Sequence, residues 1–587
     1  MAAVEGPAAP AFLDRMLRPG RASGRDVTLD LLWLLGLGLL LMATGLGFRD
    51  PWPPDEPRFA LVAQDMLRSG DWLIPRVGGD LYADKPPVFF WLIAVATSLT
   101  GSLRVGFLLP SLLAGLGTVL LTYDLVRRAR GREAGLAAGF VLLLTFQFVW
   151  QARQAQIDAT LCFFTTLSLY GLLRHLCLGP ARGWFLAGWA AAGLGVITKG
   201  VGFLPLLALL PFALLMRRGW PAPVPRIRSL ALAGVGSMLL AIGLWFVPMI
   251  VATSAGGDLL DYRNEILFKQ TVTRYADAWH HHGPIYYYFV QIIPLFWLPL
   301  IGLAPWLWPR WRAALRDRDT LVAVLLAWVV IVVLFFTASS GKRSLYVLPA
   351  IPALAMAAGP WLPGLLRARG PRRLAFALAC LLTAVAALAA VYLGFDAHRA
   401  ARVARQFGIQ PVVPLAVIAL CCAAALAVFR VRDAWLAYAG VLATILAFTG
   451  YVVYPRIDAA RSGRAFTERV LQASAGIQEL ALVGAKEQYL LQLKRPSFNF
   501  GHARWRERES EAADAAAWLA ADPRRGLVMD RRVRELCFKD AQAVDLGKAN
   551  RQHWYLVTGN PDPKCVAKGD PAAARLYAPP DEAFKYR

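Results

Sequence analysis

Three short polar islands interrupt an otherwise apolar chain. The first is Pro53-Pro54-Asp55-Glu56-Pro57-Arg58-Phe59, the second Asp84-Lys85-Pro86-Pro87, and the third Gln156-Ile157-Asp158, at the mouth of an apolar segment. Carboxylates and a lysine at a membrane edge are expensive to desolvate unless they are partnered or used. Later loops add Lys199, Lys269, Arg274, His280–His282, Lys342, Arg343 and Tyr346. Lysine and arginine donors bind phosphate, and they answer the charge that develops on a departing phosphate. Asp55, Asp158 and, beside the first, Glu56 are carboxylates that could bind a sugar, orient an acceptor or take a proton. Together they point to chemistry on a charged, lipid-attached substrate.

Each residue also has a plainer reading. Asp55 precedes a helix start and could cap it. Lys85 and Lys199 could snorkel to the headgroups. Asp158 opens a span and could serve its N-terminus. Asp84 and His281 are the candidate metal ligands, the alternative for His280–His282 being a solvated loop. Tyr286, Tyr287 and Tyr288 at a span start fit an aromatic belt. No single residue decides; their common side carries the argument.

That side follows from the elements around them. The 587 residues are 57% hydrophobic, and a mean hydropathy of +0.46 marks a polytopic membrane protein. A net charge of +24 would suit nucleic acid, but the basic residues cluster in short loops between apolar runs, the positive-inside pattern, so no nucleic-acid partner is expected. Arg15, Arg18, Arg21 and Arg25 precede a run without a clear cleavage site, which reads as a retained signal anchor. We expect about thirteen transmembrane helices, near residues 30–47, 105–125, 135–151, 158–178, 184–198, 201–216, 229–252, 285–308, 320–338, 344–362, 374–395, 411–430 and 434–453. Arginine clusters at 127–132, 217–228, 310–318 and 367–373 place the N-terminus in the cytoplasm and the C-terminus outside.

Residues 86–101 would reach only about 24 Å as a helix, against a hydrocarbon core of about 30 Å. A crossing there would also put Asp158 on the face away from Asp55. We therefore expect a helix lying at the outer interface, and a second over 57–69 with Phe59, Leu61, Val62, Met66 and Leu67 on its apolar side. The chain divides into a transmembrane domain, 1–454, and a polar region, 455–587. Helical stretches (464–475, 511–520) alternate there with strand-like Ala481–Gly484, Gly526–Met529 and Trp554–Thr558, as in a small α/β domain. Cys537 and Cys565 are its only cysteines, and an oxidising compartment would let them pair.

The stretch Asp55-Glu56-Pro57-Arg58-Phe59-Ala60, then Ser69-Gly70-Asp71-Trp72, then Asp84-Lys85-Pro86-Pro87 with Trp91 resembles the membrane-embedded GT-C glycosyltransferases. It is most similar to the lipid A 4-amino-4-deoxy-L-arabinose transferase branch, related to protein O-mannosyltransferases. Asp158, Thr198-Lys199-Gly200, Arg274-Tyr275 and Leu345-Tyr346-Val347-Leu348-Pro349 extend the likeness through most of the first 360 residues. The resemblance implies transfer of a sugar from undecaprenyl phosphate to an acceptor at the periplasmic face of a bacterial inner membrane. Asp55 would be the main catalytic or acceptor-orienting carboxylate, and Asp158 would position substrate. Lys85, Arg274 and Tyr346, with Arg58, Lys199, Lys342 and Arg343, would hold the lipid phosphate.

Two departures stand out. Asp84 replaces a family Glu, and the family's metal-site His falls on Gln270 or Thr271. A divalent metal such as zinc is the one cofactor the resemblance raises. The expected acceptor is lipid A, the expected sugar an aminoarabinose-type pentose. The alternatives are a protein or glycan hydroxyl acceptor and, in another class, a transporter of a lipid-linked sugar. Transporters place polar sites near the midplane in broken helices, whereas these charges gather at one face.

Overall fold

The computed structural model describes residues 24–224, 228–254, 256–267, 283–484, 486–502 and 504–579. Lys269, Arg274, the Gln270–Thr271 position and His281 lie outside the described residues. Helical chain occupies most of every expected span. Among the described residues, seven helices are long and apolar enough to cross a membrane, or up to nine if each of two bent pairs is one span. Gly24–Met42, Ile157–Leu176, Arg182–Lys199 and Val201–Arg217 correspond to expected spans but are not among these helices.

The two bent pairs explain how irregular backbone survives deep in the bundle. Arg132–Leu144 and Phe146–Ala152 meet at 71°, and Tyr288–Phe296 and Ile301–Arg316 at 96°. A break frees backbone groups that apolar surroundings cannot satisfy. Here the two breaks satisfy each other: the Phe146 amide donates to the Leu298 carbonyl at 3.0 Å. Gln147 adds side-chain bonds, accepting from Trp297 Nε1 at 2.9 Å and donating to the Ser344 carbonyl at 2.6 Å. That last bond fixes the turn carrying Arg343.

Two helices expected at the interface are present. Val88–Thr100 is 13 residues, about 20 Å, too short to cross. Phe89, Phe90, Ile93 and Ala94 are buried, whereas Leu99 is 82% exposed, so one side is left for lipid. The helix Glu56–Ser69 corrects the expectation. Its apolar residues are buried, but so are Gln64 and Asp65 on other faces. The cover is the C-terminal region, not lipid: Tyr577 Oη donates to Gln64 Oε1 at 3.1 Å.

Between these helices runs a hairpin of β1 (Arg76–Val77) and β2 (Asp80–Leu81). Its turn is Gly78-Gly79, at φ +61° and +87°, where a side chain would be strained. Asn499 donates to the Gly78 carbonyl at 3.0 Å and the His502 amide to Asp80 at 2.8 Å. Arg575 also pairs with Asp80.

The C-terminal region is an α/β unit. Its strands are β3 (Glu479–Leu482), β4 (Ser497–Asn499), β5 (Arg525–Asp530), β6 (Gln542–Ala549), β7 (Gln552–Thr558) and β8 (Arg575–Tyr577). They form one sheet in the order β6-β7-β5-β3-β4-β8, with β3 parallel to β4 and β5 and the other pairs antiparallel. The helices Arg464–Ala473 and Arg508–Ala520 match the expected ones. Cys537 and Cys565 are joined in a disulfide, with Cα atoms 5.9 Å apart.

Candidate active site

The Asp55 carboxylate stands at the N-terminal end of Glu56–Ser69 but makes no capping hydrogen bond. It instead accepts from Arg343 Nη2 at 2.9 Å, across 288 residues. Burial opposes its ionisation; Arg343, Arg58 and Lys85 outweigh that and hold the carboxyl below its usual range. The pair is not sealed: the Asp55 and Arg343 side chains are 15% and 28% exposed.

Asp158 lies in the first turn of Ile157–Leu176, where Gln156 takes the capping position. Its Oδ1 accepts from Lys199 Nζ. Lys199 is the last residue of Arg182–Lys199, and Gly200 at φ +71° turns the chain away directly after it. The Lys199 ammonium also sits 4.5 Å from the Tyr346 ring centroid. Lys199 is therefore not a snorkelling anchor. Tyr288 Oη donates to the Arg343 carbonyl at 3.3 Å, so Tyr288 supports this loop and is more than a belt residue. Asp55, Asp158, Lys199, Arg343 and Tyr346 thus form one constellation.

Arg58 and Lys85 join it from below Asp55. Arg58 Nε donates to Glu487 Oε1 at 2.8 Å. Lys85 Nζ donates to the Asp84 carbonyl at 2.7 Å. Asp84 is half-buried. Burial raises its pKa, but His502, Lys85 and Arg58 together lower it well below the ordinary carboxylate range.

Two expected site residues have other work. Both Glu56 oxygens are engaged by Arg49, and they also accept from the Trp52 amide at 2.9 Å and the Ala155 amide at 3.0 Å. Glu56 ties the first and third polar islands together and has no lone pair turned to a substrate. Lys342 Nζ donates to the Thr337 and Ser339 carbonyls at 2.9 and 2.6 Å. Those are orphan acceptors at the end of Thr320–Ala338, so Lys342 caps that helix.

The sequence reading missed the contribution of the C-terminal unit. Glu487 reaches Arg58, and His502 lies between Glu487 (3.5 Å) and Asp84 (3.8 Å), its ring 5.4 Å from that of Tyr82. Nothing in the local sequence marks either residue, because their meaning comes from a sheet docked on a hairpin some 420 residues earlier. Among the described residues no three His, Cys, Asp or Glu side chains gather as a metal site. Asp84 and Glu487 approach opposite nitrogens of His502, which is ion-pair geometry. The described residues do not fit a metal.

Comparison with known proteins bears on this arrangement. Residues 84–245 match the family described as dolichyl-phosphate-mannose-protein mannosyltransferase. The chain is 32% identical over 349 residues to undecaprenyl phosphate-alpha-4-amino-4-deoxy-L-arabinose arabinosyl transferase 2 of Pseudomonas fluorescens, covering 58% of this chain and 61% of that protein. It is 32% identical over 336 residues to the transferase of the same description from Pseudomonas aeruginosa, covering 55% and 58%. The matched stretch thus spans about three fifths of these relatives' length. The crystal structure of ArnT from Cupriavidus metallidurans bound to undecaprenyl phosphate superposes with a TM-score of 0.71 at 24% identity, covering 91% of this chain and 98% of that one. Its apo form gives 0.68. The chain has the fold of the membrane GT-C glycosyltransferases. Within that class it resembles the aminoarabinose transferases and the protein mannosyltransferases.

Proposed function

We propose that this chain transfers an aminoarabinose-type pentose from undecaprenyl phosphate to lipid A at the periplasmic face of the bacterial inner membrane. The reading takes about thirteen transmembrane helices, a cytoplasmic N-terminus and a periplasmic C-terminal domain. The observation that carries it is the pairing of two carboxylates, Asp55 and Asp158, with two cations, Arg343 and Lys199, from four distant segments. The names of the relatives and the fold of the Cupriavidus metallidurans structure point the same way.

The chemistry follows from the charges. When a sugar leaves phosphate, negative charge grows on the leaving oxygen and positive character on the anomeric carbon. Arg343 and Lys199, with Lys85 and Arg58 nearby, answer the first. Among the described residues each of the first two is held by one carboxylate, so an arriving phosphate can share it. Asp55 and Asp158 answer the second or orient the acceptor. A carboxyl held below its usual range is a poor proton acceptor. That favours an acceptor already ionised, such as a lipid A phosphate, over a protein or glycan hydroxyl. Mass spectrometry of lipid A and of glycoproteins from cells with and without the chain tests this. Pentose-modified lipid A is the expected result; modified protein with unmodified lipid A would overturn it.

A further inference from the structure

The helix Ala397–Phe407 joins the spans Arg369–Phe395 and Val412–Phe429, and the function above leaves it unused. Its eleven residues, about 16 Å, carry Arg399, Arg402 and Arg405 three apart, so the guanidinium groups share one exposed stripe. Arg399 is partly answered by Asp396 at 2.9 Å and by the Tyr392 ring at 5.2 Å. Arg402 and Arg405 have no carboxylate partner among the described residues. Phe395, which ends the first span, and Val413, near the start of the second, are 89% and 67% exposed, so apolar side chains free to meet lipid flank the stripe.

This helix is on the same side of the molecule as Asp55. It packs against Tyr454–Arg461, the helix that leads into the C-terminal unit. That neighbour adds exposed Arg456 and Arg461. The Arg461 guanidinium lies 5.3 Å from the ring centroid of Trp52, three residues before Asp55. Basic residues elsewhere in the chain serve orientation by clustering at the opposite ends of spans. A stripe on the site's own side serves no such purpose.

We propose that Arg399, Arg402 and Arg405, continued by Arg456 and Arg461, form a docking surface for the phosphates of the acceptor glycolipid and lead it from the bilayer toward Asp55. The inference rests on lipid A being the acceptor. Arginine's planar donors suit phosphate, and each cation near a membrane surface adds a modest attraction. The charge complementarity and the path to Trp52 select the acceptor over the donor, whose phosphate belongs with Arg343 and Lys199.

The test is native mass spectrometry of the full chain titrated separately with lipid A, phosphatidylglycerol and undecaprenyl phosphate. In R402Q/R405Q, lipid A retention should fall by about tenfold or more. Undecaprenyl phosphate and phosphatidylglycerol retention should hold, and R402K/R405K should restore much of the loss. Equal loss of lipid A and phosphatidylglycerol would make the stripe a general anionic anchor and overturn the assignment. Unchanged lipid A retention in R402Q/R405Q would overturn it too. Failure of the wild type to bind lipid A or undecaprenyl phosphate at all would instead count against the proposed function, so the two failures are distinguishable.

Discussion

Asp55 and Glu56 are neighbours in sequence and opposites in structure. Glu56 is 5% exposed and saturated by Arg49 and two backbone amides. Asp55 has one hydrogen-bond partner among the described residues, Arg343, and keeps part of its surface. The same contrast separates two larger regions. Around Asp50, every charge is answered: Arg104 at 2.5 Å, Gln492 at 3.2 Å and Arg464 at 3.7 Å, while its amide donates to Asp458 at 2.8 Å. That cluster fastens the bundle to the C-terminal unit. Around Asp55 and Asp158, the pairs among the described residues are single and placed on separate segments. Fully answered buried charge holds a fold; sparingly answered charge can be redirected to a substrate.

The comparison can be broken by substitution. The largest effect on turnover belongs to Asp55→Asn, which keeps size and removes charge; losing a charge placed for the transition state should lower the rate by roughly a hundredfold or more while leaving donor binding and folding intact. Glu56→Gln should do the reverse. It leaves Arg49 buried without its counter-charge, at a cost of about 3–5 kcal/mol, read as lost thermal stability and folded yield. Lys199→Met should raise the donor KM by roughly tenfold, the weight of one charge-assisted contact, and less than Asp55→Asn in kcat. Cys537→Ser should destabilise the C-terminal unit by about 2–4 kcal/mol without touching the pairs at Asp55 and Asp158.

The smallest effect is on pH dependence. Burial raises Glu511 from 4.5 to about 7. A raised folded pKa means stability fully present below 4.5 and lost as pH rises through about 7. Glu511→Gln should flatten that fall in a thermal-unfolding series. Asp55 has the opposite sign: its depressed pKa makes the Arg343 pair available above the usual 3.8 and lost only as pH falls below it. An acid limb in activity near neutrality therefore cannot come from Asp55.

These contrasts also say what the sequence could carry. Span positions were legible because apolar runs must be helical in lipid, and residues 320–338 agree to the residue. Both short helices were bounded by proline and glycine, whereas the β1–β2 hairpin was not anticipated. Strands β4, β6 and β8 were not found: two are three residues long, and the first half of β6 is exposed and lacks apolar alternation. The residue types at Asp55, Asp158, Lys199 and Arg343 announced a site, but their pairing needed contacts across 41 and 288 residues. Glu56 and Lys342 carried the same chemical signal as their neighbours, and only their partners showed them to be structural. Glu487 and His502 gave no signal at all.

The most direct test puts Asp55→Asn and Glu56→Gln side by side in proteoliposomes with undecaprenyl-phosphate aminoarabinose and lipid A, with turnover expressed per folded molecule. We predict that Asp55→Asn loses roughly a hundredfold in turnover at full folded yield, while the Glu56→Gln molecules that fold retain near wild-type turnover. Near-normal turnover in Asp55→Asn, or a per-molecule loss confined to Glu56→Gln, would contradict the account.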